Sequence, residues 1–150
     1  MSEARADTAA RLARGVQSLL HDMGYDSLCE VKLRSRRRVD VMGINEKGRI
    51  VIVEIKSSAA DFRVDEKWSD YLEFCDAFYF AVDESFPIDL LPEIQGLIIA
   101  DGFTGAVVRP AMDFKLNGSR RRNITLRFAR TAANRLRLAE ASMKETNYVR

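Results

Sequence analysis

Two short apolar runs enclose the turn-forming sequence Asn45-Glu46-Lys47-Gly48, and this pattern constrains the fold more than any other stretch of the chain. Valine- and isoleucine-rich runs on both sides of a glycine-containing turn predict a β-hairpin within residues 38–58. A three-residue loop, with Gly48 in the left-handed conformation, pairs Asn45 with Arg49. The turn therefore fixes the register of both strands.

Three charged side chains, Asp40, Glu54 and Lys56, interrupt these apolar runs. Side chains on a strand alternate faces, so Glu54 and Lys56 share one face. The register puts Asp40 opposite Glu54, with Cβ atoms about 5 Å apart, whereas a one-residue slip would send Asp40 to the other face. Facing carboxylates repel, and Mg²⁺ would remove that conflict. The stretch fits a metal site, and equally a Glu54–Lys56 ion pair beside a solvated Asp40.

The composition indicates one ordinary globular domain over residues 1–150. The chain is 47% apolar, which is enough for a core, and no apolar run approaches membrane-spanning length. The N-terminus lacks a signal-peptide core, and two isolated cysteines indicate a reduced, cytoplasmic protein. A single histidine, His21, excludes histidine-rich zinc or haem sites.

The net charge is only +2, but the charges are unevenly distributed. Residues 61–93 hold ten acids against two bases, and residues 115–137 hold eight bases and no acid. A second basic group over residues 32–38 directly precedes Asp40. Basic patches on a nearly neutral protein favour a polyanion-binding face, with a solvated helix and loop as the alternative.

Hydrophobic periodicity predicts a mixed α/β order around the hairpin. The predicted helices span residues 4–23, 65–75 and 128–143, and residues 112–123 are expected to form a polar basic loop. The predicted strands besides the hairpin span residues 27–33, 76–82, 96–100 and 106–109. The expected architecture is a mixed β-sheet between helices.

These residues resemble the signature of the PD-(D/E)xK nuclease superfamily. Asp40 matches the aspartate of that signature, and Glu54-Ile55-Lys56, after a gap of thirteen residues, matches its (D/E)xK part. Val39 stands where the superfamily often has proline. The residues downstream resemble more narrowly the MmcB-type bacterial DNA-repair proteins, over roughly residues 10–138. They are Ser57-Ser58, Asp61-Phe62, Lys67-Trp68, Asp70-Tyr71, Cys75-Asp76 and the run from Phe78 to Val82. The resemblance implies a restriction-endonuclease-like fold, with an α-β-β-β-α-β core, extra strands and a C-terminal helix.

The resemblance also implies a catalytic site. Asp40, Glu54 and the carbonyl of Ile55 would hold Mg²⁺, with Mn²⁺ as an alternative ion, and Lys56 would orient or activate the attacking water. Many superfamily members add an acid from the first helix, and in the first turns of that helix this chain offers only Glu3 and Asp7. Glu30, on the neighbouring strand, is the preferred fourth carboxylate, and pairing with a nearby base is its alternative role.

DNA is the substrate that the resemblance and the basic patches favour. The arginines at 36–38 and 120–122 would contact phosphates without reading sequence, which favours recognition of DNA structure over base sequence. Lys67 is a further candidate contact, and helix packing explains it equally well. Trp68 and Tyr71 fit either base stacking or the core. The candidate nucleic-acid contacts are Arg36, Arg37, Arg38, Lys67, Arg120, Arg121 and Arg122.

The leading hypothesis is therefore a Mg²⁺-dependent deoxyribonuclease or nuclease-like DNA-repair factor. A catalytically inactive module that binds DNA or a repair partner is the alternative, and the acidic segment 61–93 is a candidate docking surface for such a partner. A hydrolase for another phosphate ester is a third hypothesis, which no glycine-rich phosphate loop supports.

Overall fold

The computed structural model describes residues 2–64 and 67–148, and within them three α-helices and six strands. Two 3₁₀ helices, Trp68–Phe74 and Ile88–Leu90, lie in the connections. No helix in this part of the chain is long and apolar enough to cross a bilayer. In chain order the elements are α1 Ser2–Asp22, β1 Tyr25–Lys32, β2 Arg38–Asn45, β3 Ile50–Ile55, α2 Ala59–Val64, β4 Ala77–Val82, β5 Gly96–Ala100, β6 Gly105–Arg109 and α3 Gly118–Tyr148.

The strands form one sheet in the order β1-β2-β3-β4-β5-β6. Strands β3, β4 and β5 run parallel to one another, and the other neighbouring strands are antiparallel. Helix α1 covers one face, and α3 with the first 3₁₀ helix covers part of the other. The predicted mixed sheet between helices is confirmed, including the α-β-β-β-α-β order at its start.

The hairpin register is the predicted one. Gly48 has φ 78°, and the amide of Asn45 donates to the carbonyl of Arg49 at 3.1 Å. The side-chain oxygen of Asn45 accepts from the amides of Lys47 and Arg49, which explains why an asparagine suits this position. The paired residues run through Val41 opposite Val53, so the predicted register is confirmed up to the residue next to Asp40.

Both faces of the sheet bury apolar side chains, so β3 and β4 are buried along their whole length. Val51, Val53 and Ile55 pack with α1, whereas Ile50 and Ile52 pack with Phe78 and Phe80 on the α3 side. Strands buried on both faces are expected to be continuously apolar. Charged residues at the end of such a strand are therefore exceptional, and Glu54 is one of them.

Two predicted boundaries were wrong. The helix predicted over residues 65–75 is replaced by α2 and the 3₁₀ helix Trp68–Phe74, with Asp65 and Glu66 outside the described residues. Helix α2 begins early because Ser58 Oγ accepts the amide of Asp61 while the Asp61 carboxylate accepts the amide of Ser57. Trp68 and Tyr71 pack against Phe78, which confirms their core role.

Helix α3 begins at Gly118, so residues 118–123 are helical and not part of a loop. Asn117 caps it, because its side-chain oxygen accepts the amides of Ser119 and Arg120 at 2.9 and 3.2 Å. Hydrophobic periodicity did not predict the start of this helix, because three consecutive arginines precede buried Ile124, its first strongly apolar residue.

Candidate active site

A cavity of about 580 Å³ opens between α1 and the ends of β1, β2 and β3. It brings together the five residues that were predicted for the metal and catalytic site. They are Glu30, Asp40, Glu54, Ile55 and Lys56. Residues from three neighbouring strands therefore line one opening.

Asp40 is held in place by the strand that carries the other predicted ligands. Its Oδ2 accepts the backbone amide of Ile55 at 2.8 Å. The carboxylate is half-buried, and this hydrogen bond engages one of its two oxygens.

Glu54 and Lys56 are among the few buried charged residues, with 6% and 3% of their surfaces exposed. Buried ionised groups need partners, and both residues do interact within the protein. The backbone amide of Lys56 donates to the carbonyl of Ala81 at 3.0 Å, so the pairing of β3 with β4 continues past Ile55. The lysine is thus carried by an extension of the central sheet and not by a loop.

Glu30 lies at a kink in the first two strands. Its φ is 54°, a left-handed conformation that is rare for a residue other than glycine. Cys29 packs on the α1 side and Val31 on the α3 side, although residues two apart on a regular strand face the same way. The kink therefore separates Glu30, which lines the cavity, from Lys32, which the sequence had placed on the same face.

The donor set fits a hard divalent cation of the Mg²⁺ type. Asp40 and Glu54 supply two carboxylates, and Ile55 lines the same opening. Mg²⁺ is commonly bound through one or two carboxylates, with waters and substrate phosphates completing the shell. Among the described residues no group of three acids, histidines or cysteines forms a metal cage.

Residues that the sequence did not single out also line the cavity. Asp61 adds a carboxylate to the cavity. The helix-start pattern from Ser58 to Asp61, which closely follows Lys56, is the sequence feature that could have indicated this residue. From α1 come Arg14, Gln17 and four alanines, and no acid. Gln17 Nε2 donates to the carbonyl and hydroxyl of Ser27, which fixes α1 against β1.

None of the predicted nucleic-acid contacts lines this cavity. Arg36 is exposed in the β1–β2 connection, and Arg38 is exposed at the start of β2. Arg37 forms a salt bridge of 2.8 Å with Asp70. Lys67 is exposed before the first 3₁₀ helix and has a partner in the protein. On α3, Arg122 is exposed, and Arg120 lies 3.6 Å from Glu73 and over the ring of Phe74.

Arg121 has a structural role, so it is removed from the set of phosphate contacts. Its guanidinium makes two hydrogen bonds, of 2.6 and 2.7 Å, to buried Asp76 and a third to the carbonyl of Gly48. Asp76 also accepts the amide of Ile50 at 2.7 Å. Burial raises the pKa of Asp76, but these hydrogen bonds outweigh burial and hold that pKa below its ordinary value.

Comparison with solved structures gives one extensive match. SPO1766, a protein of unknown function from Silicibacter pomeroyi, is 46% identical, with a TM-score of 0.85 over 89% of this chain and 91% of that one. A repair endonuclease from Pyrococcus abyssi is 20% identical, with a TM-score of 0.32 over 45% of this chain and 32% of that one, which is too little to bear on function.

No curated protein matches the chain. The model of the MmcB-like family of DNA repair proteins, in contrast, matches residues 1–143, nearly the whole sequence. That match covers all six strands and most of α3. The chain therefore belongs to the MmcB-like DNA repair protein family.

Proposed function

We propose that the protein is a Mg²⁺-dependent deoxyribonuclease that hydrolyses phosphodiester bonds in structured or damaged DNA. The observation that carries this proposal is the convergence of Asp40, Glu54, Ile55 and Lys56 on one cavity. Membership of a DNA repair family supports DNA as the substrate. Two carboxylates, a carbonyl and an ammonium are the groups that phosphodiester hydrolysis by a PD-(D/E)xK site would need.

Each residue has a distinct task in this proposal. Asp40 and Glu54 would hold the ion, and the Ile55 amide keeps Asp40 oriented toward it. When bound, Mg²⁺ supplies Lewis-acid stabilisation of the charge on the phosphate. The ammonium of Lys56 would orient the attacking water and stabilise the negative charge that develops on the phosphoryl oxygens. Because Lys56 is buried on the sheet, no loop has to become ordered before it acts.

The test is cleavage of single-stranded, duplex and branched DNA, with Mg²⁺, with Mn²⁺ and with a chelator. Wild-type protein is compared with Glu54→Gln and Lys56→Ala, and with Glu46→Gln as a matched control, because Glu46 is an exposed carboxylate at the hairpin turn. We expect cleavage only with metal, loss of at least about 100-fold in both site variants, and wild-type activity in the control. Cleavage by the site variants at the wild-type rate would remove the assigned site.

A module that binds DNA without cutting it is the second candidate. The specific observation in its favour is that α1 brings alanines, Arg14 and Gln17 to the cavity and no acid. This alternative predicts salt-dependent DNA binding, with no cleavage by wild-type protein under either metal. The same experiment therefore separates the two functions.

A further inference from the structure

We propose that a groove beside α3, separate from the candidate catalytic cavity, is the site that anchors duplex DNA by its phosphate backbone. The groove lies between α3 and the segment that follows the kink in β1. The inference deepens the proposed function, since it uses DNA as the polyanion. It assigns binding to residues that have no part in the metal site.

The helical side of the groove is a cationic stripe. Its members recur every three or four residues and so lie on one side of the helix. Between the first and last members the helix rises about 26 Å, which is comparable with seven or eight base pairs. The stripe contains no acid. Its members are Arg120, Asn123, Arg127, Arg130, Asn134 and Arg137.

Two cavities, one beside the start of α3 and one further along the same helix, make up the groove. One, of about 510 Å³, has Arg34 and Ser35 facing Arg120 and Asn123. The other, of about 580 Å³, has Lys32 beside Arg127, Arg130 and Arg135. Neither cavity has an acidic residue among its lining residues. Cations from two separate parts of the chain therefore face one space with no acid among them.

Only one cation of the groove is paired with an acid within the described part of the chain, although Arg127 also donates to Asn123. Arg120 has an ion pair with Glu73, and Arg135 donates to two backbone carbonyls. Within the part of the chain that the structure describes, Lys32, Arg34 and Arg130 make no salt bridge. A concentration of like charges destabilises the compact state through repulsion unless a counter-charge binds. A row of phosphates provides that counter-charge at regular spacing.

The kink of β1 joins this groove to the catalytic cavity. Arg135 lines the groove and donates to the carbonyls of Cys29 and Glu30, at 2.6 and 2.8 Å. The side chain of Glu30 lines the cavity that holds Asp40. The groove and the cavity therefore meet across the outer edge of β1. DNA anchored along α3 can present a neighbouring phosphate to the metal site.

Binding of a 30-base-pair duplex, measured by fluorescence anisotropy over a salt series in a chelator, tests the anchor independently of cleavage. Two double variants remove charge from opposite walls, Arg127→Gln with Arg130→Gln, and Lys32→Gln with Arg34→Gln. The matched control, Lys47→Gln with Lys115→Gln, removes the same charge from exposed positions outside the groove. Thermal unfolding of each variant checks that it is folded.

We expect each groove pair to make the slope of log affinity against log salt shallower by about 2 and to weaken binding about 60-fold at 0.1 M salt. The control pair should change affinity by less than about threefold. Equal losses in groove and control pairs, unchanged binding in both groove pairs, or no duplex binding by the wild type would overturn the inference. If Glu54→Gln loses cleavage but still binds duplex DNA, the groove keeps its role as the DNA anchor, and the defect lies in the candidate catalytic site.

Discussion

Asp40 accepts a hydrogen bond from the backbone amide of Ile55, the residue between Glu54 and Lys56. One contact therefore ties the carboxylate of β2 to the part of β3 that carries the other site residues. The position of Asp40 is fixed by the sheet before any ion binds. A carboxylate that is oriented in advance loses little side-chain entropy when it becomes a ligand.

Asp40→Asn and Asp40→Ala should separate the structural role of this residue from its role in metal binding. Asparagine keeps an oxygen that can accept the Ile55 amide, whereas alanine leaves that amide without this acceptor. We expect Asp40→Asn to unfold near the wild-type temperature and Asp40→Ala to lose about 1 kcal/mol of stability. Calorimetry or thermal unfolding without divalent metal measures both effects.

Addition of Mg²⁺ to the same proteins then tests the ligand role. A ligand that binds only the folded state raises the unfolding temperature, so wild-type protein should be stabilised and neither variant should respond. Glu46→Gln, at the exposed hairpin turn, serves as the control and should respond like the wild type. A full Mg²⁺ response in Asp40→Asn would contradict the assignment of Asp40.

The part of the site that depends on local sequence was predictable. The turn at Gly48 sets the register of β2 and β3, because strand pairing within a hairpin is fixed by loop length. Asp40, Glu54 and Lys56 lie near the ends of these strands and line one cavity. The fold class followed from the order of apolar segments. The other residues that line the cavity could be predicted only if α1 was placed over the hairpin.

What the sequence could not give comes from distant contacts and backbone conformation. Nothing in the pattern marks Glu30 as a left-handed residue, so the separation of Glu30 from Lys32 was missed. In the sequence, Arg121 cannot be distinguished from its neighbours in the arginine run. Its guanidinium nevertheless contacts Asp76, which lies 45 positions earlier in the chain. Which arginine points inward depends on the rotation of α3, and that is set by the burial of Ile124.

Arg121→Ala should destabilise the protein strongly. It removes two hydrogen bonds from Asp76, whose side chain is only 7% exposed, and leaves a buried carboxylate with the amide of Ile50 as its remaining donor. We expect a loss of about 3 kcal/mol, at the low end for a broken buried ion pair because 35% of the Arg121 side chain is exposed. Arg122→Ala, one residue along and exposed, is the matched control. Urea unfolding at pH 7 measures the difference.

The same ion pair predicts a pH dependence. The pKa of Asp76 is held below its ordinary value of 3.8 in the folded protein. Its contribution to stability is therefore full above about pH 4 and is lost as the pH falls through the lowered folded pKa. Wild-type protein should lose more stability than Asp76→Asn between pH 5 and pH 2. Parallel pH profiles for the two proteins would show that Asp76 does not contribute.

Gly15→Ala should destabilise the protein although alanine is the better helix former. A Cβ at Gly15 would overlap the carbonyl oxygen of Asp101 and lie 2.7 Å from that of Thr104. This turn cannot move aside easily, because the Asp101 carboxylate accepts the amides of Phe103 and Thr104. Overpacking against backbone atoms costs about 1–3 kcal/mol, which exceeds the gain in helix propensity of about 1 kcal/mol.

Gly118→Ala is the matched control, since Gly118 also lies in a helix and a Cβ there meets nothing within 4 Å. Its stability should equal or slightly exceed that of the wild type. Because α1 forms one wall of the candidate catalytic cavity, its displacement in Gly15→Ala should also weaken Mg²⁺ stabilisation of the folded state. Wild-type stability in Gly15→Ala would mean that α1 is free to shift away from the β5–β6 turn, and the cavity wall would then not be fixed by this contact.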